Sequence, residues 1–153
     1  MKVFKLDSNA VLPTRNHPTD GGADLYSLED VFLPVGSTMK IATGVAIEVP
    51  KGMVGRIAGR SSMNKKGIIA SPGVIDTGYS GDVSVMLHNF SCRQDTLTHP
   101  GYMEDITQYG YHIKAGDKIA QVLLEPVIIE PIEETTELWK SERADKGWGS
   151  SGR

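Results

Sequence analysis

Glycine and proline interrupt this chain too often for long helices: 17 glycines and 8 prolines are spread over 153 residues. Proline removes a backbone donor and glycine carries an entropic cost inside regular elements, so both gather at ends and turns. With only three Phe and two Trp, such punctuation favours short strands over a helical bundle, and an all-β class follows. The length suits one domain around a single core.

Hydrophobic periodicity agrees. Val45, Ile47 and Val49 alternate with Ala46 and Glu48, and Val83, Val85 and Leu87 alternate with Ser84, Met86 and His88, as half-buried strands do. Residues 119–129 are more continuously apolar, which predicts a strand buried on both faces or at a subunit contact. The one helical prediction is a turn or two from Ser61, where adjacent serines can cap free N–H groups and Asn64-Lys65-Lys66-Gly67 supplies a polar stop. Residues 90–112 show no clear period and read as a long loop or irregular hairpin. From Glu133 the chain turns acidic, then rich in glycine and serine, which predicts a β-domain over 1–132 and a mobile tail over 133–153.

Sixteen basic against 19 acidic residues give a formal charge of -3, which argues against stable binding to nucleic acid. The single cysteine, Cys92, cannot form an intrachain disulfide, so a cytoplasmic setting is expected. No apolar run approaches a bilayer span and the N-terminus has no secretory h-region, so no membrane association is expected.

Five stretches combine glycine with charged or hydroxyl residues beyond what core packing requires: residues 21–27, 59–62, 73–79, 116–121 and 143–152. Arg60, Ser61 and Ser62 offer a guanidinium fork, hydroxyls and backbone N–H groups together, the ingredients of a phosphate site. In the tail, glycines around Trp148 would let an indole fold over a planar base, while Arg143, Ser150 and Ser151 can bind phosphate oxygens. Residues 73–82 read as a hairpin entering the strand at Val83. There Asp76 suits either an Asx-type turn or proton abstraction, and Tyr79 suits either packing or a platform for a sugar ring.

In this order, and with GVIDTGY, GDKIAQ and GWGSSG as the strongest pieces, the segments resemble the five motifs of the homotrimeric dUTP pyrophosphatases, the dUTPases. The resemblance implies a distorted, β-clip-like jelly-roll, a homotrimer with shared active sites, a tail that closes over a neighbour's site, and dUTP as substrate. It implies that Asp76 is the general base. Tyr79 would pack under deoxyribose, and the backbone at Gly73 and Val74 would pair with the uracil edge. Arg60, Ser61, Ser62 and Gln121 would contact phosphates; Arg143, Gly149, Ser150 and Ser151 would grip the γ-phosphate; Trp148 would close over the base. Mg²⁺ would ride on the phosphates with waters, and Asp24 would meet that water shell.

The chain departs from the family pattern at several positions. Gly78 stands where many members carry a second acid, Ala70 where some place a base-contacting Asn, and Ser62-Met63-Asn64 where Gly-Leu-Ala is commoner. Trp148 replaces Phe or His, and Ala144 and Lys146 replace glycines. Two other functions compete. A dCTP deaminase, or a bifunctional deaminase and dUTPase, shares the fold and phosphate motifs, but residues 73–82 contain no glutamate to serve the ring carbon. A regulatory binding protein would keep the pocket as a switch, with residues 90–112 contacting a protein partner.

Overall fold

Turns set the length of nearly every element in the computed structural model, which describes residues 1–91 and 109–139. In chain order the described elements are β1 (Lys2–Lys5), β2 (Ala23–Tyr26), β3 (Val31–Pro34), β4 (Thr38–Ile41), β5 (Val45–Glu48), β6 (Met53–Ala58), α1 (Ser61–Asn64), β7 (Ile68–Ala70), β8 (Gly73–Ile75), β9 (Val85–Asn89), β10 (Gly110–Ile113) and β11 (Lys118–Pro126). Every strand pairing is antiparallel. A four-stranded sheet runs β2-β11-β6-β8, a three-stranded sheet runs β4-β9-β7, and β1-β5 and β3-β10 form two-stranded ribbons. The expected all-β, jelly-roll-like architecture is what these sheets build.

The alternating patterns place the core. Val45 and Ile47 of β5, and Val85 and Leu87 of β9, are all but completely buried, and they meet Leu25, Leu33, Ile41, Ile68, Ile113, Ile119 and Val122 in one apolar cluster. Fully burying a side chain of this size contributes roughly 1.5–3 kcal/mol, so the cluster is the main source of cohesion.

Four expectations need correction. The strand expected over 119–129 ends at Pro126, and Ile128 and Ile129 are 84% and 78% exposed. Its partner β2 reaches only to Val122, so the C-terminal half is flanked on one edge alone. The serines do not cap α1: Arg60 occupies the N-cap position with extended geometry and no side-chain cap. The stop is as expected, with Gly67 at φ +77°. Residues 73–82 do not form a hairpin with the strand that follows. Instead β8 pairs with β6, whereas β9 pairs with β4 and β7. Residues 110–112, expected in the long loop, belong to β10 and pair with β3. Cys92, most of the 90–112 segment and the tail positions Arg143, Trp148, Gly149, Ser150 and Ser151 lie outside the described residues.

Candidate active site

A cavity of about 520 Å³ opens at one end of the four-stranded sheet, lined by Asn16, Asp20, Gly21, Gly22, Asp24, Arg60, Ser61, Ser62, Lys118 and Gln121. Three of the five chemically marked segments therefore contribute to one space. The register explains how. Asp24 on β2 stands opposite Gln121 on β11, which stands opposite Ala58 on β6. Arg60 follows two residues on, where the chain leaves β6 for α1.

Hydrogen bonds fix these side chains. Arg60 Nε donates to Asp24 Oδ1 at 2.8 Å, and its Nη1 donates to the Lys118 carbonyl at 3.0 Å. Lys118 Nζ reaches Asp24 Oδ2 at 2.7 Å. Asp24 thus holds two cations, one on each oxygen. Gln121 Nε2 donates to the Gly59 carbonyl at 2.9 Å. Its amide passes so close to Gly22 that a Cβ added there would lie 2.1 Å from Oε1. Glycine at 22 is what lets Gln121 reach its place. The hydroxyls of Ser61 and Ser62, both exposed, make no hydrogen bond among the described residues.

Lys118 lines the cavity although the sequence reading assigned it nothing. In a regular strand, residues 118 and 121 point to opposite faces. The β2–β11 register shifts between Lys118 and Ala120, and this irregularity resets the alternation so that both side chains face the same space. Bulge position is not written in hydrophobic periodicity. The only available signal is the successive burial of Ile119 and Ala120, both 0% exposed, visible once the strand is folded. The hydrogen bond to Asp24 is the main cause that raises the Lys118 pKa above its ordinary 10.5, so this lysine is cationic across the neutral range.

Asp76 and Tyr79 stand elsewhere. β8 runs against β6 with Gly73 opposite Ile57 and Ile75 opposite Gly55, so Asp76 lies towards the start of β6, away from Arg60. Thr77 Oγ1, donating to the carbonyls of Pro50 at 3.1 Å and Met53 at 3.3 Å, holds the turn at that end. Six residues of extended chain separate Val54 from Arg60, or about 20 Å at ~3.4 Å per residue. The turn closes through Tyr79 N–H to the Asp76 carbonyl at 3.2 Å, with Gly78 at φ +91° in the position a type II turn reserves for glycine. With the turn in this form, a side chain at 78 would be strained. The Asp76 carboxylate is exposed and accepts no hydrogen bond among the described residues, so the backbone makes the turn and the side chain is unengaged.

Tyr79 is 49% exposed. Its hydroxyl donates to the Asp82 carbonyl at 2.9 Å, and its ring lines a second, mainly apolar cavity of about 480 Å³ with Val3, Phe4, Ile47 and Gly78. Val74 presents a 67% exposed side chain on the β8 edge. Ala70 is buried in the core.

Antiparallel sheets that converge arginine, lysine, hydroxyl and amide donors on one open cavity define a small all-β protein equipped to hold a phosphorylated ligand. The chain matches the family described as dUTPase over residues 8–99 and 105–152. It is 37% identical over 160 residues to the deoxyuridine 5'-triphosphate nucleotidohydrolase of Mycobacterium marinum, covering 99% of this chain and 94% of that protein. Its identity to the corresponding protein of Clostridioides difficile is 35% over 155 residues, covering 99% and 97%. Among solved structures, a mutant dUTPase of Staphylococcus bacteriophage 80alpha with dUpNHpp superposes with a TM-score of 0.80 at 30% identity, covering 99% of this chain and 98% of the other. A mutant dUTPase from phage phi11 of S. aureus, whose structure details a structural Mg(II) ion, gives a TM-score of 0.74 at 31% identity, covering 89% and 96%. The chain belongs to the dUTPase family.

Proposed function

We propose that this protein hydrolyses dUTP to dUMP and pyrophosphate, acting as a homotrimer whose active sites are shared between chains. The observation that carries the chemistry is the cavity in which Arg60, Lys118, Ser61, Ser62 and Gln121 converge. In the proposed reaction a water oxygen attacks the α-phosphorus as its proton passes to Asp76. The α–β bridging bond breaks, and its electron pair leaves on pyrophosphate. Arg60, Ser61, Ser62 and Gln121 hold the phosphate oxygens in line for that displacement. Tyr79 packs under the sugar, and the β8 backbone at Gly73 and Val74 reads the uracil edge. With no side chain for the base at Ala70, this recognition falls to the backbone.

The register supports sharing between chains. By the β6–β8 register the backbones at Asp76 and Arg60 lie beyond opposite ends of the paired stretch, roughly 20 Å apart at ~3.4 Å per residue, which favours their serving different substrates rather than one. A second copy can bring its Asp76 turn to the first copy's cavity, and a closed ring of such contacts is the usual outcome. Residues 133–153 would form the closing tail, with Arg143, Gly149, Ser150 and Ser151 on the γ-phosphate and Trp148 over the base.

The cavity also fits a substrate-borne Mg²⁺. Arg60 and Lys118 are balanced by Asp20 and Asp24, so the lining has no net formal charge to set against a triphosphate. Among the described residues no group of three His, Cys, Asp or Glu could hold a metal directly. Magnesium keeps its waters and prefers phosphate oxygens, and when bound it supplies the missing positive charge. Asp24 retains lone pairs beyond the two that its cations use, and these can accept from metal-bound water. No described helix is long and apolar enough to cross a membrane, and we assign the protein to the cytoplasm.

The test is direct. Purified protein is assayed for pyrophosphate release from dUTP, dCTP, dTTP and UTP with Mg²⁺. Release from dUTP alone is expected, whereas ammonia release from dCTP would overturn the assignment in favour of a deaminase.

A further inference from the structure

We propose that Lys118 is a further phosphate-binding residue of this site, and that Asp24 is the positioning residue that holds Lys118 and Arg60 as a fixed two-cation fork. The inference rests on reading the cavity as a phosphate site and deepens that reading. Donor accounting is its basis. An arginine has five N–H donors, and Arg60 uses Nε on Asp24 and one on the Lys118 carbonyl, leaving three. A lysine has three, and Lys118 uses one on Asp24, leaving two. Among the described residues, five charged donors thus remain around one carboxylate.

Both cations are accessible enough to use them. The side chains of Arg60 and Lys118 are 23% and 34% exposed, whereas that of Asp24 is 15% exposed beneath them. The lysine is held from two directions, since its ammonium also sits 5.9 Å from the centre of the Tyr26 ring. Tyr26 is in turn tied to Thr14 through its hydroxyl. A lysine on a flexible stem normally loses rotamer freedom when it grips an anion. Here much of that freedom is already lost in the free protein, so the grip on phosphate costs less.

The separating experiment measures binding of inorganic pyrophosphate, without metal, by titration calorimetry on the full chain. Lys118→Met is expected to weaken binding about tenfold or more, as loss of charge-assisted hydrogen bonds does. Lys118→Arg should stay within about threefold of the parent, since guanidinium can both pair with Asp24 and reach the anion. Asp24→Asn gives the sharper contrast. Removing a negative charge beside an anion site should tighten anion binding if Asp24 acts by charge alone; a positioning role predicts weaker binding. Lys118→Gln, which keeps a donor for Asp24, controls for any folding defect in the Met variant and should also bind weakly. Parent-like binding by both Lys118→Met and Lys118→Gln, or tighter binding by Asp24→Asn, would overturn the proposal. Normal pyrophosphate binding by a parent that fails to cleave dUTP would instead remove the assigned reaction and leave the fork standing.

Discussion

Asp76 is the residue on which the proposed chemistry turns, and its local geometry separates two roles that sequence could not. The main chain closes the turn from Asp76 to Tyr79, so the carboxylate is not engaged in the Asx bond that would explain an aspartate by turn preference alone. Asp76→Asn should therefore leave the fold and the binding of a non-hydrolysable dUTP analogue intact while lowering turnover by roughly 10²–10⁴-fold, as loss of a general base does. Near-parent kcat in a stopped assay would remove the residue from this role. Gly22→Ala tests a neighbouring constraint. Its Cβ would lie 2.1 Å from Gln121 Oε1, and because that atom ends a flexible side chain, the amide should swing away from the Gly59 carbonyl. The expected outcome is raised KM for dUTP with little change in melting temperature. What composition revealed at this scale was the residues grouped with glycine in short motifs. What it concealed was Lys118, whose side chain joins the cavity only because the β2–β11 register shifts beside it.

At the scale of elements, period-two patterns located β5 and β9 because each strand has one face in the core. The pairing of β8 was not legible, since three residues carry too little pattern to choose between neighbouring strands. Proximity in sequence favoured a hairpin, but the β6 edge was the partner. The turn before β11 offers a stability test. Asp30 accepts from Ala115 N–H and from Lys114 Nζ, both at 2.9 Å, and these bonds, the backbone one foremost, lower its pKa below the ordinary 3.8. A carboxylate with a lowered folded-state pKa stabilises at pH above its unfolded value, and that stabilisation is lost as pH falls through the folded value. Denaturant melts of parent and Asp30→Asn should therefore differ at pH 7 and converge below pH 3.8. A gap that persists unchanged into strong acid would show that the ionised form is not what matters.

In the proposed trimer, the Asp76 and Arg60 that act on one substrate come from different chains. Refolding an equal mixture of Asp76→Asn and Arg60→Ala chains tests this. Each variant alone should be nearly inactive. In mixed trimers, random assortment should join an intact Asp76 to an intact Arg60 at about a quarter of the sites, because each is supplied by a different chain. Recovery of about that fraction of parent activity is expected; none would place the whole site within one chain. Placing Asp76 and Arg60 at opposite ends of β6 also has a consequence for abundance. If function begins only when chains meet, catalytic output should rise more steeply than protein level at low expression. A cell that makes half as much would then lose more than half of its capacity to clear the nucleotide.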